Sequence, residues 1–330
     1  GAVMPGTQVV VVNEATNTVR STITNDRGTY RILNLNPGQY TVRVEVAGFK
    51  RLESPHTRVS VGDTVTVNAT LEIGDISETL TVTGLSTGVD TEDSQPSTLV
   101  ASHQIVDHPL NGRNVYALAL MSPGVVPAMG SVQIRQGAED SAFITAGTRH
   151  RGNSFTLDGA YNTDDGMSGM PVVTPSVDAV QEFRLIRNNF SAEYGVHSGS
   201  VVSVVTKSGT NELHGSVYYF HRNDAFDAAD VFAAYDKTTG EKDKSPLKQH
   251  QFGFTVGGPI LSNKLFFFGG YEGFRQKRGQ TWVGTVETPE FRQFVIDSFP
   301  GNVSAQIFQE VPAVDPTYEI ETVQNLSLIH

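Results

Sequence analysis

The run DGAYNTDDG, Asp158 to Gly166, combines three carboxylates and an amide with two glycines. Oxygen-rich runs of this kind suit a hard cation such as calcium, which takes about 6–8 oxygen ligands. Ala160 breaks that pattern, because it stands where an EF-hand loop needs its second carboxylate or amide. The run therefore reads as a solvated loop, and no metal is expected. If the loop faces outward, Asp164 and Asp165 are the residues expected to touch a ligand. The glycines of HSGSVVSVVTKSGT, His197 to Thr210, fit neither a phosphate-cradling GxxxxGK[ST] loop nor a GxSxG nucleophile elbow. The 9 histidines form no HExxH pair, and Asp, His and Ser fall in no order that suggests a triad. No catalytic residue and no cofactor is expected, and the chain does not read as an enzyme.

Composition narrows the class further. The chain of 330 residues carries a net charge of −11 and has no basic stripe to neutralise phosphates, so nucleic acid is excluded as a partner. With no cysteine there is neither a disulfide framework nor a thiolate zinc site. No apolar run approaches the ~20 residues of a membrane helix, but a membrane strand needs only about 9–11 and hydropathy detects it poorly. Abundant Gly, Val and Thr favour many short strands and turns. The opening GAVMPGTQVVVVN has no initiator Met, and one codon choice for Leu326–His330 resembles a transposase end used in sequencing libraries. Both ends are therefore expected to be clipped.

Three zones hold these residues. In residues 1–73, Tyr40, Val42, Val44 and Val46 alternate with Thr41, Arg43 and Glu45, a period of two that marks a half-buried strand. Further strands are expected at Gln8–Asn13, Val19–Thr24, Thr29–Leu33 and Val65–Leu71, with turns at Asn25–Gly28, Asn36–Gly38 and Ala47-Gly48. That spacing predicts a small β-sandwich. Residues 74–100 are polar and acidic enough for a linker. The linker contains ETLTV, Glu78 to Val82, which is either the last strand of the sandwich or a strand left unpaired for a partner to extend by β-augmentation.

Residues 101–211 alternate strand and helix patterns and read as a Gly-rich α/β unit. In it, Val115, Leu118 and Ala119 have helical spacing, and Pro123-Gly124 stops the helix. From 212 to 330 the rhythm changes to strand, long polar stretch, strand, short turn, strand, long polar stretch. NELHGSVYYFHRND, Asn211 to Asp224, fills both faces of its strand with Val217, Tyr218, Tyr219 and Phe220. Such a strand is buried on both sides, or its outer face meets something other than water. The loop rhythm favours the second answer, the opening strands of a transmembrane antiparallel β-barrel, with Tyr218, Phe220, Phe266 and Phe267 expected in its aromatic girdles.

TNDRGTYRILNLNPGQYTVRVEVAGF, Thr24 to Phe49, resembles the carboxypeptidase regulatory-like domain, a transthyretin-like sandwich with an accessory role and no implied peptidase activity. PLNGRN (109–114), NSFTLDG (153–159), DAVQEFRLIRNNFSAEYG (178–195), VVTKSGTNELHGSVYYFHRNDAFDA (204–228), GGPI (257–260) and KLFFFGGYEGFR (264–275) follow in order. Together they resemble a TonB-dependent outer-membrane receptor of the Oar-like group. The resemblance implies that residues 101–211 form a plug domain inside a barrel that closes at about 22 strands, of which residues 212–330 supply only the first. It implies a place in the bacterial outer membrane with the N-terminal domain in the periplasm. Outer-membrane lipid, an unidentified extracellular ligand and the TonB C-terminal domain are the implied partners. Glu78, Thr79, Leu80, Thr81 and Val82 stand where the TonB box belongs, and a Pro at Leu80 is expected to abolish that contact by removing a ladder donor. The implied function is energy-coupled uptake or export of a ligand. The alternative is a cell-surface adhesive or carbohydrate-binding β-sandwich protein.

Overall fold

A computed structural model of the chain describes residues 2–75, 77–81, 96–128, 141–166, 169–187, 189–191, 194–195, 197–229, 231, 240, 242, 244, 246–279, 287–311 and 321–329. Two compact units emerge. One comprises Gly1–Ser216 with Phe254–Gly270 and His330, and the other Val217–Gly253 with Tyr271–Ile329. The N-terminal sandwich and the α/β domain thus belong to one unit.

The sandwich is built on β1 (Gln8–Asn13), β2 (Val19–Ile23), β3 (Gly38–Val44), β4 (Arg51–Val59) and β5 (Thr79–Thr81), in sheet order β2-β1-β3-β4-β5. Alternation places Val9, Val11, Tyr40, Val42, Val44 and Leu52 on one buried face, as a half-buried sheet requires. The expected strands Thr29–Leu33 and Val65–Leu71 carry no ladder. They lie over this core as extended chain, tied by the Tyr30 hydroxyl donating to Val67 O at 3.0 Å.

β4 was hidden from the sequence by its own irregularity. Tyr40 pairs with Thr57 and Val42 with Ser54, so Pro55 and His56 both stand opposite Thr41. This bulge shifts the buried phase from Ser54 to Thr57 and accommodates a Pro that a regular ladder would reject. Glu14 clamps the bulge: it accepts from His56 N at 2.8 Å and Thr41 Oγ1 at 2.8 Å, with His56 Nδ1 at 3.0 Å. Burial pushes the Glu14 carboxyl up, but these hydrogen bonds outweigh it and hold the group below its ordinary value.

The expected linker 74–100 yields both ends to sheets. β5 joins the sandwich, and β6 (Ser97–Ala101) joins the α/β domain, with 82–95 outside the described residues. After helix α1 (Ser102–Asp107) and a 3-10 helix over Val115–Met121 come β7 (Val125–Pro127), β8 (Phe143–Thr145), β9 (Ser154–Leu157), β10 (Ala160–Tyr161), β11 (Val180–Arg187) and β12 (Ser200–Thr206). The main sheet runs β10-β9-β12-β11-β6, antiparallel except for β9 beside β12, while β7 and β8 pair separately. The helix expected around Val115 is present in its tighter 3-10 form. Asn114 caps it by accepting from Tyr116 N, and its apolar face, Val115, Tyr116, Leu118 and Ala119, is fully buried against Phe155 and Phe183.

β13 (His214–Asn223), β14 (Leu247–Leu261), β15 (Leu265–Gly279) and β16 (Glu321–Ile329) form an up-and-down sheet in chain order. A three-residue turn joins β14 to β15, with Asn263 at φ 63. Helices α2 (Pro289–Ser298) and α3 (Val303–Glu310) lie between β15 and β16. β16 pairs antiparallel with β15 and includes Leu326–Ile329, residues to which the sequence assigned no structure. No helix among the described residues is long and apolar enough to cross a membrane.

Candidate functional site

Three places carry the functional argument: the wall β13–β15, the far end of the α/β domain, and the strand β5.

On β14 the polar residues Gln249, Gln251 and Thr255 are buried, Gln251 being only 2% exposed. The alternating positions Phe254 and Val256 are open, and on β13 Val217 is 88% exposed. Polar residues inside and apolar residues outside invert the order of a soluble strand and match a wall set in lipid. Inside, Tyr218 on β13 reaches across β14 to donate to Glu272 Oε2 on β15 at 2.6 Å. It passes over Gly253, where a Cβ would lie 2.5 Å from the Tyr218 hydroxyl and 2.4 Å from Tyr271 O. Gly is required there by close approach. The girdle expectation needs correction here. Tyr218, Phe220 and Phe266 share the parity of the inward Ser216 and Glu272, so only Phe267 points outward. A bunch of aromatics carries no facing information when they sit at consecutive positions of a period-two element.

In the α/β domain, the chain runs on from the C-terminal end of β12 to β13. Asp158, the first carboxylate of DGAYNTDDG, lies at that end and accepts from Thr206 N and Thr206 Oγ1, both at 2.8 Å. It is a structural tie. The opposite end holds the residues just before β9 and β12. There a cavity of about 480 Å³ is lined by Thr148, Arg149, Arg151, His197 and Ser198 with two glycines. Beside it, the Tyr161 hydroxyl bonds both oxygens of Asp165 and His197 Nε2, each at 2.8 Å. Burial and then the Asp165 hydrogen bond raise the Tyr161 hydroxyl above its ordinary value.

Asp165 is thus placed beside the groove as an orienting group. Asp164 turns its backbone into the loop, donating from N to Met170 O and accepting from Gly169 N. The sequence reading missed Tyr161, Arg149, Arg151 and His197. Arg149 and Arg151 flank His150 in TRHRGN, a local basic signal, but nothing local links them to His197. Among the described residues no group of acidic, His or Cys side chains is arranged to hold a metal.

β5 lies parallel to β4, with Arg51, Leu52 and Glu53 opposite Thr79, Leu80 and Thr81. Arg51 N donates to Glu78 O at 2.9 Å, the Leu80 side chain packs on the sandwich core, and Lys50 Nζ stands 3.3 Å from Glu78 Oε2. The Glu78 hydrogen bond and charge raise the Lys50 amine above its ordinary value. Of the two readings of ETLTV, the last strand of the sandwich is the one seen: β5 ends the sheet, and among the described residues no strand pairs with its other edge. Val82 lies outside the described residues.

The sandwich also grips the α/β domain. Val61 N donates to Glu182 Oε2 at 2.9 Å, and Arg184 Nη1 donates to Val61 O at 2.7 Å. Arg58 pairs with Glu182 at 3.2 Å and Arg184 with Asp63. Glu182 and Arg184 are alternate residues of β11, so one face of that strand fills the domain core and the other is covered by the sandwich.

Comparison with known proteins agrees with this architecture. Residues 1–72 match the family model of the carboxypeptidase regulatory-like domain, and residues 205–324 match that of an outer membrane beta barrel domain. The chain is 28% identical over 274 residues to the TonB-dependent transporter Oar of Myxococcus xanthus, covering 81% of this chain and 25% of the transporter. It is 28% identical over 97 residues to the probable TonB-dependent siderophore receptor PirA of Acinetobacter baumannii, covering 28% of this chain and 11% of the receptor. Among solved structures, the outer membrane transporter YddB from Escherichia coli is similar at 15% identity and TM-score 0.43, covering 56% of this chain and 27% of the transporter. The chain spans a quarter or less of the length of the two curated relatives. These relatives are transporters and receptors, which does not favour an adhesive or enzymatic reading. With a regulatory-like sandwich, an α/β domain and an inverted outer-membrane wall in that order, the chain is similar to TonB-dependent outer-membrane transporters and receptors.

Proposed function

We propose that the protein containing this chain is an energy-coupled outer-membrane receptor that moves a ligand through a plugged β-barrel, with the sandwich on the periplasmic side. The observation that carries this reading is the inverted polarity of β13–β15, directly after the α/β domain in the chain. The α/β domain is the plug, and Glu78–Val82 is the TonB box. Pulling by TonB displaces the plug and opens the path. The chain supplies too few strands to close a barrel of about 22 strands, so transport belongs to the whole protein.

The groove at the far end of the plug is the part of this chain that meets ligand. Arg149, Arg151 and His197 favour an anionic group, for which Arg offers a fork of donors. Asp165 holds Tyr161 and His197 in place for it.

Membrane fractionation of the whole protein tests the receptor reading. A closed barrel stays with the outer membrane after alkaline extraction and migrates faster in detergent gels before heating than after it. Release by alkali, or one mobility under both conditions, would sink the reading. The groove is tested by the double variant Arg149→Ala, Arg151→Ala in a transport assay across a panel of anionic candidates. Uptake of the anion normally transported should fall at least about tenfold, the equivalent of ~1.4 kcal/mol. Unchanged uptake would remove the groove from the ligand path.

A further inference from the structure

Among the described residues β5 is held along one edge only, and its register says which backbone groups lie on each edge. In a parallel pair the bonds are evenly spaced, and alternate residues of a strand address one neighbour. Arg51 N donates to Glu78 O with Arg51 opposite Thr79. That phase turns Leu80 N–H towards β4 and leaves the N–H groups of Thr79 and Thr81 on the other edge, so the donor a partner would lose to Pro is that of Thr81 and not, as expected from sequence, that of Leu80. An open edge strand is a template for another strand. It is already extended, so a partner that adds to it does not meet the cost of ordering it, about 1–2 kcal/mol per residue.

We infer that the sandwich presents the TonB box as a preordered edge strand, and that the TonB C-terminal domain adds outside it while β4 keeps hold of its inner edge. This rests on the reading of Glu78–Val82 as the box. The occupant must offer a free strand edge of its own, because what β5 presents is backbone. The hold has three parts that leave the outer edge untouched: the ladder to Arg51–Glu53, the Leu80 side chain in the sandwich core and the Lys50–Glu78 ion pair.

A mechanical consequence follows. β4 runs from the box partner Arg51 to Val59, and two residues later Val61 is clamped by Glu182 and Arg184 of the plug strand β11. A pull on β5 therefore reaches the plug through folded, hydrogen-bonded chain. The sandwich becomes the coupling between TonB and the plug.

The absence of cysteine permits a direct test. Arg51→Cys with Thr79→Cys places a pair at adjacent register positions, where a disulfide can lock β5 onto β4. The whole chain, in detergent, is titrated with purified TonB C-terminal domain, with the pair oxidised and then reduced. Wild type and Thr81→Pro are run beside it. The expected result is binding by wild type, a loss of at least about tenfold in Thr81→Pro because an outward donor is gone, and oxidised and reduced forms agreeing within about twofold. Loss of binding on oxidation with recovery on reduction would overturn the inference while leaving the box in place, since TonB would then have to strip β5 from β4. No binding by wild type, or equal binding by Thr81→Pro, would overturn the box reading and this inference with it. If the Thr79 substitution itself weakens binding, the ratio of oxidised to reduced affinity still reports the lock.

Discussion

β3 and β14 obey the same period of two and bury opposite chemistry. In β3 the buried positions are Tyr40, Val42 and Val44, and the wet ones carry Thr41 and Arg43. In β14 the buried positions are Gln249, Gln251 and Thr255, and the open ones carry Phe254 and Val256. The lesson is that alternation specifies a strand but not the solvent on either face. A sandwich sheet sets its apolar face against its own core; a barrel wall sets its apolar face against lipid and its polar face towards the lumen.

Five changes break or sharpen this comparison. The largest effect is expected from Val42→Asp, which puts a charge in the sandwich core. A loss of about 4 kcal/mol or more, read by denaturant unfolding, is expected from burying an unpaired carboxylate, and a loss under about 1 kcal/mol would mean that this face is not a core. Next is Phe254→Arg on the wall. In the whole protein folded into lipid vesicles it should cost about 2–4 kcal/mol near the bilayer midplane, although at an open position of a water-facing strand it would cost almost nothing. A negligible effect in lipid would show that β14 does not face the bilayer.

A smaller change is expected from Tyr218→Phe, which leaves the ring over Gly253 but removes the hydroxyl from Glu272. A hydrogen bond to a charged group contributes about 1.5–3 kcal/mol, and a loss in that range is expected for this bond to the buried Glu272. Gly253→Val should be worse than Tyr218→Phe, because its side chain occupies the path of the ring. The reverse order would separate the Gly253 gap from the role of Tyr218.

The smallest effect belongs to Glu14 at the β4 bulge. Its folded carboxyl titrates below the ordinary 4.5, so its contribution is complete above pH 4.5 and is lost as pH falls through the folded value. The sandwich should lose under about 1 kcal/mol over that interval. Glu14→Gln should abolish this part of the pH dependence, and an unchanged profile would take Glu14 out of the account.

Much of the fold was legible because the signals are local. β1, β2 and the core of β3 follow from alternation and from turns at Asn25–Gly28 and Asn36–Gly38. β13, β14 and β15 follow from strand length, loop length and aromatic content. A helix was legible from the spacing of Val115, Leu118 and Ala119 and from Pro123-Gly124, though not its 3-10 form or its Asn114 cap. What escaped has a common cause, namely partners distant in the chain. β4 escaped because a bulge at Pro55-His56, stabilised by Glu14, resets its phase. Residues 29–33 and 65–71 alternate like strands, yet a ladder needs a neighbour at matching register and they have none. The groove escaped because His197 meets Tyr161 and Asp165 only after β9, β10 and β12 assemble. The girdle assignment failed because facing is fixed by pairing, and Tyr218 pairs its hydroxyl inward.

The sequence by itself determined the resemblance to TonB-dependent outer-membrane receptors and the order of sandwich, α/β domain and wall, since these rest on periodicity and motif order. The tertiary structure decided where ETLTV spends its backbone hydrogen bonds, because an edge strand looks the same in sequence whether or not a neighbour lies beside it. It also decided that Val61 is clamped between Glu182 and Arg184, residues about 120 positions away. A backbone N–H and C=O carry no side-chain identity, so no residue pattern could announce that contact.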